Sequence, residues 1–295
     1  DSIGFIYADA DNAGKALELL KTPSEYRKFS NSMSESTRNS IQIDDLREHP
    51  FEIISAGGDD LILIVPAKVA PEYALNICKN FHEKMKEKYN DMSMSMSAGV
   101  VIAPSHYPVY YLFDLASQLL KSAKKRSHKD NKGAIDFMVM TSQNTLSSNI
   151  EDYRKEFLEQ TQESTSSSKN EEKLYLTKRP YTLSEFGNLL ESVRKLKQKG
   201  KEYPISQLYG IVQALNQHSR QHSILRFLYQ LQRHKPKDKE ILKEIMCLWN
   251  IDTCYVPWMK EDNGNLPFDK YSTVFLDILE IYGFVKKQES SDENN

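Results

Sequence analysis

Cysteine and tryptophan are scarce in this chain, with three Cys and two Trp among 295 residues. Cys78, Cys247 and Cys254 are widely spread, and the last two lack the spacing of a zinc knuckle. A disulfide framework and a structural zinc site are therefore set aside, and a reduced, cytoplasmic setting with buried free thiols is expected. No apolar run approaches the ~20 residues that span a bilayer, so no membrane partner is expected. Charge of one sign is also missing. The formal net charge is -2, so bulk electrostatics does not make this a nucleic-acid binder, and any such contact must be local. The opening "DSIGFIYADADNAGK" has neither an initiator Met nor a signal-peptide layout. It enters a strand pattern almost at once, which suggests a cut N-terminus with a larger protein upstream.

What is present fits a soluble globular protein, with 39% hydrophobic and 27% charged residues. Residues 3–8, "IGFIYA", read as a buried strand that runs into a helical pattern from "DADNAGK" through "PSEYRKFSNSMSESTRNSIQ". "FEIISA" and "LILIV" read as two strands with "GGDD" between them. A helix follows at 71–89, then an alternating strand in "SMSMSAGVVIA", a further amphipathic helix in "PVYYLFDLASQLLKSAKKR", and a last strand in "GAIDFMVM". The first six elements match a ferredoxin-like βαββαβ arrangement, an antiparallel sheet with helices on one face.

After Met140 the character changes. Residues 146–178 are polar and read as an excursion or linker, with a mobile centre near Ser164 to Asn170. From 179 to 288 the pattern is helical, and the tail 289–295 is expected to be disordered. The fold class is α+β: a ferredoxin-like domain over 1–145 followed by an all-α helical domain.

The adjacent carboxylates of "ISAGGDDLILIV" pose the chemical question. In a ferredoxin-like sheet the first and third strands are neighbours. Asp9, read at the end of the first strand, then meets Asp59 and Asp60 on the hairpin entering the third, though they are about fifty positions apart. Three converging carboxylates repel one another unless a cation lies between them. Oxygen ligands suit Mg or Mn, and two divalent ions ~3.5–4 Å apart suit in-line phosphoryl transfer. Asp59 is expected to be a direct ligand, and Asp60 to complete a second metal site or stay in an outer shell. Asp11 reads as lying past the strand, and the main chain around Ala10 offers a further carbonyl. Gly57 and Gly58 permit the tight reversal and leave room for phosphates. Lys124, Lys125 and Arg126, near a helix C-terminus, are candidate triphosphate cations. Asn12, Ala13 and Gly14 open a helix whose N–H groups face phosphate oxygens, and Ser55 is a candidate base contact.

Each residue also has a plainer reading. Asp pairs occur in ordinary turns, basic residues at a helix C-terminus meet the dipole, and Ser55 is also simply a strand serine. His218 and His222, read as i, i+4 neighbours on a helix, lack a third ligand, so a surface or packing role is preferred. Lys195, Lys197, Lys199 and Lys201 read either as phosphate contacts or as a solvated helix end, with the latter preferred. Tyr110, Tyr111 and Phe113 read as core.

"YADADNAGK", "ISAGGDDLILIV", "SMSAGVVIA…YPVYYLFDLASQLLKSAKK" and "GAIDFMVM" together resemble, in order, the second palm domain of the large polymerase-like subunit of type III CRISPR effector complexes. "KRPYTLSEF" and the helices after it look like that subunit's C-terminal helical domain. The resemblance implies that ATP is joined into cyclic oligoadenylate messengers and that target-RNA binding by the assembled complex releases the activity. It implies metal positions at Asp9, Asp59 and Asp60, and a phosphate-binding lysine at Lys124. It also implies partners: other subunits including a small helical one, guide and target RNA through the complex, and an upstream palm or a homodimer partner to complete the acceptor site. No His-Asp dipeptide of the family's nuclease domain occurs in the chain. Two alternatives stay open. One is a diguanylate-type or other cyclic dinucleotide cyclase, against which the turn reads "GGDDL" rather than ending in Glu-Phe. The other is a non-catalytic module that docks a helical subunit and RNA.

Overall fold

The computed structural model of the chain describes residues 1–41, 48–89, 94–130, 132–140, 149–163, 171–200, 202–217, 219–249, 256–262 and 268–287. Its elements run β1 (Ser2–Asp11), α1 (Ala13–Glu18), α2 (Pro23–Ser40), β2 (Glu52–Gly57), β3 (Asp60–Pro66), α3 (Ala70–Lys88), β4 (Ser95–Pro104), α4 (Val109–Asp130), β5 (Ala134–Val139) and α5 (Ile150–Phe157). They continue with β6 (Glu159–Glu163), β7 (Glu171–Tyr175), β8 (Tyr181–Thr182), α6 (Leu183–Leu196), α7 (Ile205–Gln217), α8 (Arg220–Arg233), α9 (Pro236–Leu248), β9 (Met259–Glu261), β10 (Phe268–Ser272) and α10 (Phe275–Ile281). Two compact units result: Asp1–Ile150 with Arg179–Gly187, and Glu151–Lys178 with Asn188–Asn295.

The first unit is built on a sheet of order β2-β3-β1-β4-β5-β8. Its first four strands pair antiparallel in the ferredoxin-like order, while β5 joins β4 in parallel. Strand residues point alternately to the two faces, and the sequence uses both. Gly4, Ile6, Ala8 and Ala10 of β1 share one face with Leu61, Leu63 and Val65 of β3. α3 covers that face: a Cβ at Gly4 would fall 2.2 Å from that of Ala70, and α2 packs against α3. α2 starts where its sequence dictates. Pro23 occupies the first turn, and Thr22 and Glu25 form a reciprocal capping box.

The two helices of the βαββαβ core thus share one face, as expected, and the additional helix α4 takes the other. Its buried stripe of Leu112, Leu115, Ala116 and Leu119 packs on Phe5 and Val101, with Tyr7, Ile62 and Ile64 at the margin. Coverage on both sides explains why β4 is buried along nearly its whole length rather than alternating. At Gly99, which pairs with Tyr7, a Cβ would lie 2.2 Å from the carbonyl oxygen of Ala116 and 2.7 Å from the amide nitrogen of Leu120. The missing side chain therefore sets how closely α4 approaches the sheet.

The helical stretch expected directly after β1 is divided. β1 runs on to Asp11, and α1 and α2 are separate helices.

The second unit is rich in helices, but it is not all-α. It carries a four-stranded sheet of order β6-β7-β10-β9, in which β7 and β10 are parallel. Two of these strands come from the segment read as a linker, which also holds α5. The physical reason lies in how they pair. Of β7 only Leu174 is buried. The rest is held by charge across strands, with Lys173 2.8 Å from Glu159, and by the Arg220 guanidinium, which binds Glu172 at 2.8 and 2.9 Å and lies over the Tyr271 ring. The expected mobile centre at Ser164 to Asn170 and the tail at 289–295 lie outside the described residues. The helical part has an apolar core that includes Phe227, Phe275 and Ile278, and the two tryptophan N–H groups donate to Ser192 and Ser223.

Gly99→Ala is expected to lower the unfolding free energy by about 2–3 kcal/mol through overpacking against α4. Gly14→Ala, whose Cβ meets no atom of the described residues within 4 Å, should change it by less than about 1 kcal/mol. Urea midpoints measure both, and equal midpoints would contradict the packing described.

Candidate metal and nucleotide site

The β1–β3 register sets Asp9 directly opposite Asp60. Asp9 is not at the end of β1 but two residues inside it. The β2–β3 hairpin closes at the pair Gly57–Asp60, leaving Gly58 and Asp59 as the turn. Gly58 has φ +65, the sign that a type II′ hairpin requires at its first central residue and that glycine supplies without strain. Thr37 of α2 donates to the Gly58 carbonyl at 2.9 Å, and the Asp59 carbonyl accepts the Ala10 N–H at 3.2 Å. The turn therefore carries Asp59 back beside β1. One carboxylate oxygen from each of Asp9, Asp59 and Asp60 lies within 4.8 Å of the other two.

Electrostatics makes this arrangement costly without a cation. Lys124 of α4 forms an ion pair with Asp9, and its ammonium also lies 3.3 Å from the Ala10 carbonyl oxygen. It thus meets the acidic cluster itself. Burial holds the Lys124 pKa below that of a free lysine and pushes the Asp60 carboxyl above the usual aspartate range. Asp60 Oδ1 is buried and has no hydrogen-bond partner among the described residues. Three half-buried carboxylates, one with an orphaned oxygen, beside a backbone carbonyl form an all-oxygen donor set of the kind hard divalent cations take. The residues present fit Mg or Mn.

Asp11 corrects the reading that put it past the strand. It is the last residue of β1, it is buried, and it accepts hydroxyl hydrogen bonds from Ser95 and Ser97, each at 2.8 Å. Its pKa is raised by burial against those hydrogen bonds. It ties β1 to β4 and is no part of the cluster.

Of the basic trio, Lys124 pairs with Asp9. Arg126 pairs with Asp130 at 2.7 Å and with Glu185 at 3.5 Å. Asn12 stands at the start of α1 with φ 63, and Gly14 lies in that helix's first turn. Ser55 is exposed on the edge strand opposite Ile62. Among the described residues, no atom lies within 4 Å of a Cβ built at Gly57 or Gly58. In the second unit, Lys195 pairs with Glu244, and Lys197 donates to the Val285 carbonyl and sits over the Tyr282 ring. Lys201 and His218 lie outside the described residues. The His222 ring meets Ser219, the N-cap of α8, at 2.9 Å.

Two aromatic residues on the Asp9 side of the sheet differ from the sequence reading, which passes over Tyr7 and takes Phe113 as core. Tyr7 lies on the Asp9 side of β1, and its phenol is shifted upward by burial and then by the charges of Asp60 and Asp59. Phe113, read as core, is 42% exposed and stacks on Tyr7, as Tyr110 and Tyr111 are also exposed. The α4 stripe of Leu112, Leu115, Ala116 and Leu119 already leaves 110, 111 and 113 off the buried face.

Residues 2–134 match the family model for the second palm domain of Cas10/Cmr2. This segment is a Cas10/Cmr2-type palm. Solved structures similar to the chain include Csm1 in T.onnurineus, at 16% identity over 80% of this chain and 33% of that one, with a TM-score of 0.49. Csm1–Csm4 cassettes in complex with cA4 and with AMPPNP are also similar. Each is 15% identical over 72% of this chain and 28% of that one, with TM-scores of 0.47 and 0.48. The chain therefore spans about a third or less of the length of these relatives. A search of curated proteins finds no match. No helix among the described residues is long and apolar enough to cross a membrane.

Metal binding at the palm's carboxylates needs them ionised. Because the Asp60 pKa is raised, protonation of that ligand on acidification begins above the ordinary aspartate value of about 3.9. The apparent Kd for Mn2+, titrated at each pH by electron paramagnetic resonance, is expected to start rising on acidification while the pH is still above that value. An apparent Kd that stays flat down to it would contradict the burial of Asp60.

Proposed function

We propose that this chain is the catalytic palm part of a metal-dependent nucleotidyltransferase that joins ATP into cyclic oligoadenylate within an RNA-activated type III CRISPR complex. The observation that carries this reading is the convergence of Asp9, Asp59 and Asp60 within 4.8 Å on a palm of the Cas10/Cmr2 family. Asp59 and Asp60 are the catalytic carboxylates, and with Asp9 they would hold two divalent ions. Bound, such ions would supply Lewis-acid activation of a ribose hydroxyl and neutralise charge on the departing pyrophosphate.

The chain's own residues do the rest. Lys124 meets the Asp9 charge when no other cation is present, and stands close enough to meet a triphosphate when one is. Gly57 and Gly58 keep the turn free of side chains where phosphates approach. Asn12 and Gly14 present the α1 end to the nucleotide, and Ser55 contacts it from the edge strand. ATP, the other subunits of the ribonucleoprotein including a small helical one, and guide and target RNA through the complex are the partners. An upstream palm or a second copy of the chain completes the acceptor side.

In the assembled, target-bound complex, Asp59→Ala and Asp60→Ala are each expected to lower oligoadenylate yield at least about 100-fold while assembly stays intact. Thin-layer or mass analysis of products from separate ATP and GTP incubations reads the result. Unchanged product in both variants would leave a docking module, and product from GTP alone would leave a diguanylate-type cyclase.

A further inference from the structure

We propose that Tyr7 and Phe113 form a stacking platform for the purine base of the nucleotide handled at the acidic cluster. This inference rests on the function proposed above. Tyr7 and Asp9 are two residues apart on one strand and share a face, which separates them by about 7 Å along β1. A ribose and its phosphate span that gap. Tyr7 is opposite Ile62 and Asp9 is opposite Asp60, so an apolar surface and the carboxylates adjoin on the same side of the sheet.

Phe113, from the first turns of α4, lies on Tyr7 with ring centroids 5.5 Å apart and planes at 22°, an offset stack. The stack holds the Phe113 ring in place. Yet 42% of Phe113 remains exposed. An aromatic ring fixed in orientation and left in water beside a phosphate-scale charge cluster is complementary to a flat base. Stacked rings carry no pattern of donors and acceptors. The platform therefore selects by ring area and favours purines over pyrimidines without telling adenine from guanine.

The test is titration of the full chain, with millimolar Mn2+, against ATP, GTP, UTP and inorganic tripolyphosphate. Phe113→Ala and Phe113→Leu are expected to weaken ATP and GTP alike by about tenfold, to weaken UTP less, and to leave tripolyphosphate unchanged. Phe113→Trp should restore ATP affinity, which separates lost stacking from lost folding. The platform is overturned if ATP affinity is indifferent to Phe113, or if ATP and tripolyphosphate weaken together. ATP binding that vanishes in Asp59→Ala but ignores Phe113 removes the platform alone. Absence of any Asp59-dependent binding of ATP or tripolyphosphate removes the proposed function and the platform with it. Reduced assembly of Phe113→Ala into the complex with nucleotide affinity intact makes the ring a docking contact, and that too overturns the inference.

Discussion

Everything at this site follows from one enforced neighbourhood of like charges. The register of β1 against β3 sets Asp9 across from Asp60, and the two-residue turn returns Asp59 to the same place. The sheet pays for that crowding through its apolar face. Ile6, Ala8, Leu61 and Leu63 are fully buried under α3, and each large side chain withdrawn from water contributes roughly 1.5–3 kcal/mol. The register cannot slip by one residue without turning that whole set to the opposite face. Packing on one side of the sheet thus holds the carboxylates together on the other.

The relief of that repulsion is local and comes from α4. Gly99 lets the helix come close to β4, and from that distance Lys124 reaches Asp9 and the Ala10 carbonyl. The same approach brings Phe113 onto Tyr7. A single helix therefore supplies both the resident countercharge and the aromatic rim. Ser95 and Ser97, by donating to Asp11 Oδ2, hold a fourth carboxylate against β4 while anchoring the strand that bears Asp9.

Much of the first unit was legible in the sequence because its signals are local. Alternating or continuous apolar runs mark β1, β3 and β4, and the two glycines before Asp59 mark the hairpin. The ferredoxin-like order then follows from connectivity, and with it the meeting of Asp9, Asp59 and Asp60. What was less legible depends on packing. Asp11 could not be told from a ligand until Ser95 and Ser97 came alongside, and Lys124 could not be told from an ordinary helix-end lysine until α4 took its place. The sheet of the second unit is hard to read from the sequence because β6 and β7 are polar strands joined by Lys173–Glu159 and by Arg220, with little apolar alternation. A cue did exist for β9 and β10: an Asn263-Gly264 dipeptide between them, of the type favoured in hairpins.

The central claim is that the acidic cluster is strained by its own charge and relieved by a divalent cation. Thermal unfolding of wild type and Asp60→Asn, each with and without millimolar Mg2+, tests it most directly, since this substitution leaves the Asp9–Lys124 pair in place. The account predicts that the variant melts above wild type in the absence of metal, and that Mg2+ raises the midpoint of wild type but not of the variant. A variant that melts below wild type without metal and keeps the full Mg2+ shift would contradict it.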